Sequence, residues 1–133
     1  MRVVIDIFQP VIVTTSRGAI VTLWGDENGE IGAIDFQTAG LEIPTDGMAF
    51  STKTLVETLE VGMQPKSLNE YQIAEWGINT TQQDAKIIYD FSLTENLKIG
   101  NRIRANGQYF DIKAKNPWGN HQECIVVPVQ GQA

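Results

Sequence analysis

The single histidine, His121, stands three residues before the single cysteine, Cys124, and this pair is the first place to look for chemistry. An imidazole beside a thiol suggests a Cys–His dyad or part of a zinc site. On a strand, however, residues three apart point to opposite faces, so the two side chains diverge. No second thiol or imidazole exists to complete a site. The expectation is a polar loop histidine and a buried structural thiol.

Other chemistries fare no better. A Ser-His-Asp triad would have to recruit His121, and the chain has no G-x-S-x-G elbow. The run DENGE at 26–30 has the acidic start of a calcium loop. That template wants Gly at its sixth position and Glu at its twelfth, where Ile31 and Gln37 stand, so the run reads as a turn. Neither a P-loop nor a G-x-G-x-x-G run occurs, which leaves nucleotide binding unsupported. No cofactor and no metal is expected, and the chain reads as a binding or structural module, not an enzyme. One further option is a polar stripe of Arg102, Arg104, Lys113 and Lys115 with Tyr109, which an OB-like module could offer to single-stranded nucleic acid. The net charge of −6 weighs against it and favours a solvated strand face.

The scaffold for these residues is small. At 133 residues, with 42% hydrophobic and 20% charged content, the chain fits one globular domain spanning 1–133. It contains no linker-like tract or internal repeat. One cysteine rules out an internal disulfide and suits a reducing compartment. Asp6 interrupts the apolar run MRVVIDIF, so no signal peptide is expected, and no run approaches the length of a membrane span.

The apolar period is mostly two, as in strands. RVVIDIF, PVIVTT, AIVTLWG, IGAIDF, KTLVETLEVGMQP, KIIYDFSL and ECIVVPV read as strands, with turns at 16–18 and 26–29. KIIYDFSL is expected to bury Ile87, Tyr89, Phe91 and Leu93 on one face. The segment QTAGLEIPTDGMAFST has no steady period and reads as a long loop. Ser67 and Glu70 form a capping box for one short helix, with Leu68, Tyr71 and Ala74 at helical spacing and Gly77 as its stop. The class is mainly β: a small barrel or sandwich of roughly six to eight strands with one short helix.

The stretch NRIRANGQYFDIKAKNPWG, 101–119, is the most determined. Asn106-Gly107 is the preferred pair for a type I′ turn. A two-residue loop there pairs Arg102 with Asp111, Ile103 with Phe110, Arg104 with Tyr109 and Ala105 with Gln108. It sets Ile103, Phe110, Ile112 and Ala114 on the core side. NPWG at 116–119 fits a type I turn, which would hold Trp118 at a loop tip behind the rigid Pro117. Trp118, Pro117, Tyr109 and Arg104 are the candidate interaction residues. Trp118 is read either as an interface anchor or as a cap folded over the barrel end.

The succession VGMQP, SLNEYQIAEWG, AKIIYDF, GNRIRANGQYFDIKAKNPWG and HQECIVVPV resembles head–tail connector proteins of tailed bacteriophages, also called head-closure, stopper or neck proteins. Their pattern is a strand ending in Gln-Pro, a capped helix, a strand, a GD-x-I-x-x-x-G-x-x-Y-x-V hairpin, an aromatic loop and a closing strand. Gln64, Pro65, Gly100, Ile103, Gly107, Phe110, Ile112 and Trp118 match it; Asn101 replaces the usual Asp, and Phe110 stands where Tyr is common. The match covers roughly 56–129. It implies a virion protein of the neck, assembled in the bacterial host cytoplasm. Such a protein forms a ring of itself, on the order of six or twelve copies. A portal or adaptor would lie above it and a tail terminator or tail tube below. DNA would pass through the lumen without specific binding, and no membrane is involved. The resemblance also implies a channel-gating loop around 40–53, with Leu41, Glu42, Ile43, Asp46, Met48 and Phe50 as its residues. The alternative is an OB-like module binding single-stranded nucleic acid or a protein partner.

Overall fold

A computed structural model describes residues 2–14, 17–32, 35–36, 40, 52–76 and 85–129. The candidate channel residues Leu41, Glu42, Ile43, Asp46, Met48 and Phe50 lie outside them, as do the helix stop at Gly77 and Ser16 of the 16–18 turn. Two compact units are present: Met1–Ile7 with Glu57–Ala133, and Phe8–Val56. Both crossings fall inside strands, so no linker composition marks them.

The first unit is built on a closed six-stranded barrel. Its strands are β1 (Arg2–Phe8), β6 (Leu55–Pro65), β7 (Lys86–Asp90), β8 (Arg102–Ala105), β9 (Gln108–Pro117) and β10 (Gln122–Pro128), in the order β1-β6-β7-β10-β9-β8. Closure removes the unpaired edges that an open sheet would present. The core follows from the two-residue period: Val3, Ile5 and Ile7 of β1 face inward against Val61, Ile88, Ile103, Phe110, Ile112, Cys124 and Val126. Burying each large side chain of this set contributes about 1.5–3 kcal/mol.

The β8–β9 hairpin has the expected register, from Arg102↔Asp111 to Ala105↔Gln108. Asn106 and Gly107 take φ of 52° and 78°, the positive values a type I′ turn requires. Ile103, Phe110 and Ile112 are buried as expected, but Ala114 is not on their face. Against β10, Ile112 pairs with Val126 and Ala114 with Ile125, leaving Lys113 as a bulge. One extra residue reverses the phase of a strand. Ala114 therefore joins Ile125 on the outer face, and the inner position passes to the pair Lys115↔Cys124.

β7 also faces the other way from its apolar reading. Ile88 and Asp90 are buried, whereas Ile87 and Tyr89 are half-buried and Phe91 is 62% exposed, with Leu93 exposed too. A carboxylate inside a barrel is costly unless its hydrogen bonds are met. Those of Asp90 are met by the residues that follow it, described below.

The helix α1 (Glu70–Trp76) starts two residues later than the Ser67–Glu70 box implies. Its cap is Asn69, whose Oδ1 accepts from Gln72 N at 2.7 Å while Asn69 N donates back to Gln72 Oε1 at 3.1 Å. The shift turns Tyr71 and Ala74 outward and brings Ile73 in, beside Leu68, against Ala85 and Val127.

The second unit carries two short ladders. One joins β2 (Val11–Thr14) to β3 (Ile20–Leu23), and the other joins β4 (Glu30–Ile31) to β5 (Thr52–Lys53). The DENG run is a turn, as expected: Asp26 Oδ1 accepts from Asn28 N and Glu30 N, and these bonds hold its carboxyl below the usual range. IGAIDF is not one strand. Only Glu30–Ile31 pair, after which Asp35 N donates to Gly32 O and the Asp35 carboxylate accepts from Gly32 N. Leu23, Ile31 and Phe36 form the small core of this unit with Val11, Val13 and Val21.

Candidate docking site

The most distinctive surface of the barrel unit is a set of rings at one end of the β7–β10 ladder. Asp90 pairs with Gln122 and Tyr89 with Glu123, so the next step along the ladder brings Phe91 beside His121. The ring centroids of Phe91 and His121 are 5.3 Å apart, and those of Tyr89 and His121 6.5 Å. On the other side, Trp118 stacks at 6.1 Å and 7° from the imidazole. His121 is fixed at both nitrogens, with Nδ1 2.7 Å from Asn120 Oδ1 and Nε2 3.0 Å from Glu123 Oε2. Tyr89 gains room because it lies over Gly62, where an added Cβ would sit 3.4 Å from its own.

Trp118 does not sit where the NPWG turn would put it. Asn116 and Pro117 remain paired with Glu123 and Gln122, and the chain reverses over Gly119-Asn120, with Trp118 N donating to His121 O at 2.8 Å. Trp118 is 57% exposed, more open than a cap lying flat over the barrel end would be. Phe91 and Trp118 are two large aromatics left in water on ordered backbone, the kind of residue that anchors protein interfaces.

A polar network holds this end rigid from below. The Asp90 carboxylate accepts from Ser92 N, Ser92 Oγ, Thr94 N and Gln122 Nε2, the last at 2.7 Å. Burial pushes this carboxyl up, but the bonds from Ser92, Gln122 and Thr94 outweigh it and hold it below the usual carboxylate range. Glu57 binds Thr94 and Asn96, Asn101 Nδ2 donates to Asn96 O, and Leu97 is fully buried. The connection between β7 and β8 is thereby pinned along its length, although it displays Phe91, Leu93 and Ile99 outward.

Of the candidate interaction residues, Trp118 and Pro117 are at this end, and Arg104 and Tyr109 are not. Tyr109 is eight residues from Pro117 along β9, about 27 Å in an extended strand. Arg104 binds Asp6 at 2.9 Å and Tyr109 Oη at 3.1 Å, with its guanidinium over the Tyr109 ring. Burial pushes the Asp6 carboxyl up, and its bonds to Thr58 and Arg104 more than reverse that. Arg102 is likewise bound to Asp111 at 2.9 Å. The bulge then places Lys115 on the Cys124 side of the ladder, away from that stripe. With two of its four cations paired and a third on another face, the stripe is a poor track for a phosphate backbone.

His121 and Cys124 diverge as expected. Cys124 is inside the barrel, where burial pushes its thiol up to about 11. Among the described residues, no group of His, Cys, Asp and Glu could hold a metal ion, and no helix is long and apolar enough to cross a membrane. Tyr89, Phe91 and His121 were missed as site residues. Their signal was present: two aromatics two apart at a strand end, which could equally have been an outward face.

Compared with protein-family models, with curated proteins and with solved structures, the chain matches none. Fold and site together define a closed β-barrel that presents a rigid, solvent-exposed aromatic platform.

Proposed function

We propose that this chain is a ring-forming structural protein of a tailed-bacteriophage neck, in which Phe91 and Trp118 anchor a protein–protein contact. The observation that carries the docking role is the exposure of both rings on backbone pinned by Asp90 and its partners. Ordering costs that a flexible loop would meet on binding are largely met during folding. The assignment to a neck rests on the sequence pattern over roughly 56–129. A net charge of −6 supports passage of DNA through a lumen without adhesion. Sedimentation and negative-stain images of the purified protein test the reading. Closed rings are expected, and a protein that stays monomeric at high concentration contradicts it.

A further inference from the structure

The barrel unit's platform has the carboxylates of Glu123 and Glu57 close to its rings, and the chain carries a second exposed apolar face, with Arg17 at its tip, on its other unit. In the β2–β3 ladder, Val11, Val13, Val21 and Leu23 point to the small core. The alternate residues point out: Ile12 is 64% and Ile20 72% exposed. Ile12 pairs with Thr22 and Ile20 with Thr14, so the outer face is a patch of four β-branched side chains. A two-stranded ladder covered on one side only is marginal in water and gains from a partner. The only charged residue between Asp6 and Asp26 is Arg17, exposed at the ladder's tip.

We propose that the Phe91–Trp118 platform docks on the outer face of the β2–β3 ladder of a second copy, so that copies join head to tail. This rests on the ring reading and names its contact. Charge selects the pairing. Glu123 is bound to His121 within the platform and Glu57 to Thr94 and Asn96, and the connection between Phe91 and Asn101 adds one charge of each sign, Glu95 and Lys98. Two platforms face to face would oppose carboxylates, and two ladders would oppose Arg17 to itself. Platform on ladder sets flat aromatics against β-branched residues and carboxylates toward Arg17. A contact between two different faces is heterologous, and repeats into a ring when the rotation closes.

The test uses two full-length variants, each with one face disabled: Ile12→Asp with Ile20→Asp, and Phe91→Ala with Trp118→Ala. All four side chains are more than half exposed, so both variants should fold, which circular dichroism checks. Sedimentation should give rings for the parent, monomers for each variant alone, and a one-to-one dimer with nothing larger for their mixture. A mixture that stays monomeric overturns the proposal, as does either variant assembling like the parent. Rings that survive both sets of substitutions overturn this contact and leave the ring reading standing. A parent that remains monomeric overturns both. Cross-linking gives an independent readout, because the native thiol is buried. Oxidising an equimolar mixture of Thr22→Cys and Asn120→Cys chains, which keep both anchors, should yield mixed disulfide dimers in excess well above twofold over either homodimer. Yields at or below the random ratio, about two mixed dimers to one of each homodimer, would overturn the contact.

Discussion

Asp90→Ala should loosen the platform and destabilise the barrel at once. The substitution removes acceptors from four donors: Ser92 N, Ser92 Oγ, Thr94 N and Gln122 Nε2. Ser92 is exposed, so water replaces its two bonds at little cost. Gln122 is 3% exposed and keeps only Thr94 O, at 2.8 Å, for its amide hydrogens. Leaving a buried donor unpaired costs about 1–3 kcal/mol, and the half-buried Thr94 amide adds roughly 1 kcal/mol. The total loss is therefore about 2–4 kcal/mol. Urea unfolding followed by far-ultraviolet circular dichroism measures it, with Ser92→Ala as a control expected to lose under about 1 kcal/mol. Hydrogen exchange supplies the local readout, since the Ser92 and Thr94 amides should exchange much faster in Asp90→Ala. A loss below about 1 kcal/mol, or unchanged exchange at those amides, would refute the view that Asp90 anchors this end.

Phe110→Ala should cost roughly 3–5 kcal/mol, because its ring is 2% exposed among Ile103, Ile112 and Val126; a melt within a degree or two of the parent would contradict the hairpin register. The carboxyls of Asp90 and Asp6 are held below their unfolded range, so their contribution is present above a pH of about 4 and is lost as the pH falls below it. Stability should thus be nearly level from neutral to mildly acidic pH and drop beneath that, with a shallower drop in Asp90→Asn. Cys124, with its thiol pushed up to about 11 inside the barrel, should resist thiol reagents at neutral pH until the chain unfolds; rapid labelling of the native protein would contradict its burial. Fluorescence anisotropy should find no sub-micromolar affinity for single-stranded DNA at physiological salt, and such affinity would favour the OB-like alternative.

What could be read from sequence was what neighbouring residues decide. The Asn106-Gly107 turn fixes its own register, so the pairs from Arg102↔Asp111 inward were legible. The face of β7 was not, because the identity of Asp90 argues for solvent and only the positions of Ser92, Thr94 and Gln122 argue otherwise. The bulge at Lys113 leaves no mark in composition, and it reversed the reading of Ala114. The helix start was ambiguous locally: Ser67–Glu70 and Asn69–Gln72 both suit a cap, and the burial of Leu68 and Ile73 against Ala85 and Val127 selects the second. Trp118 was recognised as a candidate, but its companions Phe91 and His121 meet only through the long-range pairing of β7 with β10.

Sedimentation velocity of Trp118→Ala beside the parent is the most direct test of the docking role. Trp118 is 57% exposed and stacks on His121, so its loss should leave the fold intact. The association midpoint should move to at least tenfold higher concentration, with the monomer itself unchanged. Association of Trp118→Ala at the parent's midpoint would contradict the claim that this platform is where the protein docks.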